Sequence, residues 1–312
     1  MQAVIRPMRE ADIAPGTEIY RHAFRAFLNI PDKMVGDADY VGTRYRLNAE
    51  GSIAAEVNGQ LVGTHFATRW GSLCVFGPST VRPVGWTGGA GKLMLEHCVE
   101  VARSWGCKSI AGFTFSHSTK HADLFQRINL WPRFLTALLS KAVRPTTARP
   151  SGMTLYSQLS EGEREQALTA CAQLTDSIHE GLRLDEEIRS LQRQGIGDTV
   201  LLFDGSRLEG FAACHLGLGS EAGSHTVYVK FGMVRPEATA PALFERLLLA
   251  VEALGAERKL SRLSLGMNLA HIEAYQQLLR LGFLSLSQGV ALHERNDALY
   301  KRPGLHVIDD WR

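Results

Sequence analysis

Val81-Arg82-Pro83-Val84-Gly85-Trp86-Thr87-Gly88-Gly89-Ala90-Gly91-Lys92 is the stretch from which the rest of the chain can be read. Gly85, Gly88, Gly89 and Gly91 fall within seven of its residues. Without Cβ atoms, successive backbone N–H groups can turn to one side. At a helix N-terminus they then form a concavity suited to an anion such as a diphosphate. The flanks predict such a setting. Leu73–Val81 reads as a strand, and Leu95, Cys98, Ala102 and Trp105 recur at helical spacing and predict a helix. Lys92 falls in that helix's first turn, where its charge opposes the dipole by about 0.3 kcal/mol. A bound anion would give it a reason to be there.

Two familiar nucleotide loops fit this stretch poorly. A P-loop needs a glycine five residues before the glycine-lysine pair and a hydroxyl after it. Trp86 and Leu93 stand at those positions. A dinucleotide fingerprint needs a third glycine where Met94 follows Gly89-Ala90-Gly91.

Working outward, the same landmarks occur twice in the same order, about 150 residues apart. Ser52–Val57, the turn Asn58-Gly59 and Leu61–Thr68 predict a hairpin. Val200–Phe203, the turn Asp204-Gly205 and Gly210–Cys214 predict another. Leu73–Val81 and Thr226–Val234 are predicted strands, each ending in Val-Arg-Pro. An amphipathic helix follows each, the second marked by Leu243, Leu247, Ala250 and Leu254. Gly106 and Gly255 are expected as left-handed helix ends. Strands Ser109–Phe115 and Arg262–Leu265 come next, then helices near His121–Arg127 and Leu269–Leu281. Edge strands Val4–Arg6 and Met153–Tyr156 open the two halves, and Ser160 with Glu163 predicts a capping box. Lys141–Met153, rich in Pro, Thr and Ser, reads as a linker open to proteolysis. The fold class is α/β, an α+β mixed sheet with helices on both faces. The domains are expected at 1–148 and 149–312.

The glycine stretch resembles the CoA pyrophosphate loop of the GNAT superfamily of acetyltransferases, V-x-P-x-x-[QR]-x-x-G-x-[GA]. Val81, Pro83, Gly89 and Gly91 match, and Trp86 replaces the usual Gln or Arg. The element order extends the resemblance over the whole chain, which then reads as two tandem GNAT-like folds. The resemblance implies acetyl-CoA as cosubstrate, lying between the fourth and fifth strands. Its pantetheine arm would pair with Ser79, Thr80 and Val81. Its diphosphate would rest on Trp86, Thr87, Gly88, Gly89, Ala90, Gly91 and Lys92, with Ser118 at the start of the later helix. The family's later motif often supplies a tyrosine to the departing thiolate. Phe125 stands there in the first half, and Leu278, with Tyr275 a turn earlier, in the second. The second loop, Val234 to Ala242, has no glycine, carries Glu237, and loses a donor at Pro241, so no CoA is expected there.

For catalysis, His117 at the end of the fifth strand is the candidate general base, since histidine is the side-chain type suited to proton transfer near neutral pH. Glu56 and the nucleophile candidate Cys74 come behind it. The resulting expectation is an N-acetyltransferase acting by direct transfer to a small-molecule or peptide amine. Its alternatives are a CoA-responsive binding or regulatory protein without turnover, and a nucleotide-binding protein unrelated to CoA. The second half is expected to wall the acceptor cleft.

Composition bounds the rest. A net charge of +2, with no block of like charges, argues against nucleic acid as partner. Cys74, Cys98, Cys107, Cys171 and Cys214 each sit among apolar residues, as reduced cytoplasmic thiols do. No spacing of His, Cys and carboxylates suggests a metal, and no apolar run suggests a membrane span. The sequence carries no signal for oligomeric state.

Overall fold

The computed structural model describes residues 2–29, 31, 36–83 and 89–312. The first half runs β1 (Val4–Pro7), α1 (Ile13–Leu28), α2 (Tyr40–Leu47), β2 (Ser52–Val57), β3 (Gln60–Trp70), β4 (Leu73–Val81), α3 (Ala90–Ser104), β5 (Ser109–Phe115), α4 (Thr119–Gln126) and β6 (Leu130–Ala142). The second repeats it: β7 (Met153–Leu155), α5 (Glu161–Asp176), α6 (Asp185–Gln194), β8 (Gly197–Asp204), β9 (Arg207–Leu216), β10 (Thr226–Val234), α7 (Ala240–Glu257), β11 (Arg262–Asn268), α8 (Ile272–Arg280) and β12 (Leu284–Glu294). A short strand, β13 (Val307–Asp309), has no counterpart among the described residues of the first half.

The repetition reaches individual hydrogen bonds. Gly63 and Gly210 sit where a Cβ would come within 2.8 Å of a facing carbonyl, Thr80 O in one half and Met233 O in the other. After each Val-Arg-Pro strand end the arginine backbone N–H returns to the preceding hairpin. Arg82 N donates to Val62 O and Arg235 N to Glu209 O, both at 2.8 Å. The arginine side chains repeat this, with Arg82 Nε on Leu61 O at 3.1 Å and Arg235 Nε on Leu208 O at 3.0 Å. Asn58 and Gly59 both adopt positive φ, as the first hairpin requires. Glu163 accepts from Ser160 N at 2.8 Å at the start of α5.

Three expectations need correction. The second hairpin turns at Gly205-Ser206, because Asp204 still pairs with Arg207. Gly255 does not end its helix, which continues to Glu257. It lies inside α7 because a Cβ there would press on Val227 and Val143, at 3.0 and 3.2 Å. The linker is shorter than expected, since Lys141 and Ala142 finish β6 and Val143 is buried. The 148/149 boundary falls within the irregular stretch that remains.

The halves are not separate bodies joined by a free linker, as a protease-sensitive connection would require. One 13-stranded sheet runs β1-β2-β3-β4-β5-β12-β6-β11-β10-β9-β8-β7, with β13 on β10. The sixth strands have exchanged places: β12 pairs antiparallel with β5, and β6 with β11. Gly289 of β12 permits this exchange, because a Cβ there would stand 2.1 Å from Phe113 Cζ of β5. Side chains follow the strands. Trp70, Leu73, Val75 and Ala111 share a core with Leu168, Leu174, Leu182 and Phe231. Ala137, Leu139 and Val143 share another with Leu247, Leu254 and Leu265. Hairpin tips clasp across the join, with Ser72 N on Gly181 O at 2.8 Å and Asp39 N on Ser220 O at 2.9 Å.

Burial makes this core sensitive to acid. His65, His271 and His293 are fully buried. Burial lowers His65 to about 3. Burial, with the nearby Lys301 charge, lowers His271 and His293 to about 4. Their folded pKa values lie below the ordinary value near 6.5, so between about pH 6.5 and 4 the unfolded chain binds more protons. Stability is therefore full above pH 6.5 and should fall by several kcal/mol as pH drops to 4. Urea midpoints at pH 7, 5.5 and 4 measure this, and His65→Leu should flatten the profile. A wild-type midpoint that stays constant over that range would refute it.

Candidate functional site

β4 and β5 pair in parallel from Leu73↔Ser109 to Phe76↔Gly112 and then part. At the parting, β4 carries one extra residue relative to β3, between Phe76 and Ser79, and Gly77 takes a φ of 133° that favours glycine. Beyond this bulge Ser79, Thr80 and Val81 pair only with β3, at His65, Thr64 and Gly63. Their backbone edge toward β5 has no strand partner. Thr80 is buried and its hydroxyl lies 3.1 Å from that of Thr64, which fixes the strand's face toward α1 and α2. The opening therefore follows from sequence, through a bulge that bends β4 and the close approach Gly63 allows.

The splay leads to the N-terminus of α3. Gly89 is its left-handed N-cap, with φ 78°, and a Cβ there would meet nothing within 4 Å. Ala90 is fully buried, and Gly91 packs near Val81 and Leu124. The first N–H groups of a helix lack intrahelical partners, which leaves those of Ala90, Gly91 and Lys92 without an acceptor inside α3. Lys92 is exposed and pairs with Glu96 at 3.4 Å. Trp86, Thr87 and Gly88 lie outside the described residues.

His117 sits beyond the end of β5, exposed, with its ring stacked on Phe27 of α1 at 5.0 Å. His121 flanks Phe27 from α4 at 5.1 Å. Burial, then the charges of Lys120 and His117, lowers its pKa. Ser118 is buried and its backbone N–H donates to Phe115 O at 3.0 Å, closing the turn before α4. Phe125 is part of the core under α3 and brings no hydroxyl. Tyr275 packs against the core of the second half. Glu56 is not free to act as a base, because Arg6 holds it at 2.5 Å on the far edge of the sheet. Cys74 is fully buried, and burial pushes its thiol well up. Among the described residues no three metal-ligating side chains converge, and no helix is long and apolar enough to cross a membrane.

The second half treats the equivalent place differently. β10 and β11 pair from Thr226↔Arg262 to Val229↔Leu265, then part at a bulge whose extra residue is Lys230. Here the chain itself fills the gap. β13 pairs antiparallel with β10, at Met233↔Val307, Gly232↔Ile308 and Phe231↔Asp309. It lies so close to β11 that a Cβ on Gly266 would stand 1.8 Å from Asp310 Cβ. Glu237, in the loop before α7, is paired with Arg207.

A parallel strand pair that parts at a bulge occurs in both halves, and in the first a glycine-capped helix follows it. Residues 17–129 match the model of the acetyltransferase (GNAT) family. The chain is two GNAT folds in tandem. Solved structures agree on the fold. A putative acetyltransferase from Pyrococcus horikoshii superposes with TM-score 0.70 at 13% identity, covering 100% of this chain and 95% of that one. A GCN5-related N-acetyltransferase from Sphaerobacter thermophilus gives 0.60 at 12%, covering 93% and 95%. A tandem GNAT protein from the clavulanic acid biosynthesis pathway gives 0.55 at 12%, covering 94% and 98%. No curated protein sequence matches.

Sequence reasoning missed the charged cluster between the halves of this tandem fold. Arg44 of α2 pairs with Glu221 and donates from Nη1 to Gly77 O at 2.6 Å. Lys230 donates to Glu221 at 2.9 Å and to Arg312 O at 2.9 Å. All three charged side chains are almost fully buried. Burial pushes the Glu221 carboxyl up, but the charges of Arg44 and Lys230 outweigh it and hold it well below the usual range. One signal was readable: Lys230 is a lone charge in the otherwise apolar strand TVYVKFGMV.

Proposed function

We propose that this chain is an acetyl-CoA-dependent N-acetyltransferase whose cosubstrate lies in the first half, residues 1–148, while the second, 149–312, binds none. The observation that carries this is the β4 edge at Ser79–Val81, without a strand partner and leading to the glycine-capped start of α3. These residues fit the group. The extended edge suits an amide-bearing pantetheine arm, and the N–H groups of Gly89–Lys92 suit a diphosphate. Filling of the second splay by β13 supports a single site.

In this reading the acceptor amine enters between α1, α2 and the mouth of the splay. Its nitrogen attacks the thioester carbonyl carbon, the new C–N bond forms, and the C–S bond breaks to release the thiolate. The amine's proton passes to His117, whose ring Phe27 holds at the end of β5. Positioning contributes much of the rate, and a thiolate leaves readily enough to dispense with a tyrosine at Phe125. That phenylalanine also motivates the second reading, a CoA-responsive binder, which acetyl transfer to a panel of amines would exclude.

Calorimetry tests the site. CoA should bind once per chain, and two equivalent sites would overturn the assignment. Gly89→Asp should weaken binding at least tenfold, about 1.4 kcal/mol, by setting a carboxylate against the diphosphate. Space around Gly89 is open and aspartate tolerates left-handed φ better than most residues, so the variant should fold. Undiminished affinity in a folded Gly89→Asp protein would contradict the loop assignment.

A further inference from the structure

The second half reaches the first half's splay through Trp311-Arg312. The Trp311 carbonyl oxygen lies 4.0 Å from where a Cβ on Gly77 would stand, so this segment runs beside the bulge at the head of the splay. Arg312 is held firmly. Its carbonyl accepts from Lys230 and Arg44. Its Nε donates to Asp310 at 2.7 Å and its backbone N–H to the same carboxylate at 3.0 Å. The guanidinium lies over the Tyr228 ring at 4.8 Å, and Tyr228 donates to Asp310 at 2.8 Å. Among the described residues, however, Nη1 and Nη2 of Arg312 have no hydrogen-bond partner, and 23% of the side chain stays open. Tyr20 of α1 and Tyr40 of α2, with rings 5.3 Å apart, feel its charge from the first half.

A guanidinium anchored through Nε, stacked on one face and free at both Nη atoms presents the fork that matches a carboxylate. The anchoring fixes its rotamer before any ligand arrives, so little side-chain freedom is lost on binding. Tyr20 and Tyr40, which feel its charge, contribute aromatic surface from the first half, and the Phe24 ring lies 4.5 Å from that of Tyr20. We propose that Arg312 binds the carboxylate of the acceptor, so that the substrate class is small amines that also carry a carboxylate, as amino acids do. This rests on the acetyl-transfer reading and gives the second half a direct part in substrate choice.

The test uses the full chain with CoA present and matched pairs: alanine and ethylamine, phenylalanine and phenethylamine, lysine and cadaverine. In at least one pair the amino acid should bind about thirtyfold more tightly than its amine, as a charged hydrogen-bond pair predicts. Arg312→Gln should bring that ratio to near one without changing the affinity for the amine or for CoA. Arg312→Lys should keep part of it, which a merely structural arginine would not predict. Equal affinity within every pair, no amino acid bound, or a ratio that survives Arg312→Gln overturns the proposal. Binding needs no turnover, so the two readings fail separately. A chain that discriminates as stated but transfers no acetyl group sinks the transferase reading, and one that acetylates only amines lacking a carboxylate sinks this one.

Discussion

Expressed alone, residues 1–148 will not give a stable fold. Both neighbours of β6, namely β11 and β12, come from the second half, so all of its ladder hydrogen bonds would be lost. β5 would keep β4 on one side and expose an unpaired edge on the other, a template for aggregation. Trp70, Leu73, Val75 and Ala111 would face water in place of Leu168, Leu174, Leu182 and Phe231. The loss rivals the whole stability of a domain, of the order of 5–15 kcal/mol. Circular dichroism should find no cooperative thermal transition in the fragment, and coexpression with 149–312 should restore one. If the fragment melts cooperatively and binds CoA like the full chain, the strand exchange is not what holds the first half together.

That exchange was beyond the reach of the sequence, although much else was within it. The hairpins, the Val-Arg-Pro strand ends and the helix stripes are local, and local patterns give element type. Ser52–Val57, Leu73–Val81, Ser109–Phe115 and Thr226–Val234 have the boundaries their apolar runs predict. Which fifth strand a sixth strand chooses is a long-range matter, and in a duplicated chain both choices satisfy the same pattern. Gly289 held the one clue, a glycine inside a strand, yet its reason is the Phe113 ring of the other half. β13 was missed for a related cause. It is only Val307–Asp309, and it became a strand because an open splay stood ready to pair with it.

The glycine-capped start of α3 was legible because glycines encode backbone geometry directly, as the left-handed Gly89 illustrates. Arg312 was not, because an exposed arginine in sequence looks like any other. Its meaning comes from Asp310, Tyr228 and Lys230, which only the fold assembles around it.

Arg44→Met should cost about 3–5 kcal/mol, the usual penalty for removing one partner of a buried ion pair. The Arg44 side chain is 2% exposed and that of Glu221 1%. Without the guanidinium, Glu221 keeps only Lys230, and the carbonyls of Gly77 and Arg312 each lose a donor. Burial and the Arg44 charge both lower Lys230, so the substitution should also make that ammonium harder to deprotonate. Urea unfolding at pH 7 measures the loss. The double variant Arg44→Met, Glu221→Leu should recover part of it, because no lone carboxylate is then left buried. A loss below about 1 kcal/mol for the single variant would mean that water already shares the cluster. Arg44 ties the bulge at Gly77 to the Arg312 backbone, so the damage should extend to the site. In the folded fraction of Arg44→Met, CoA affinity should fall along with stability, whereas a residue that only cemented the two halves would leave it untouched.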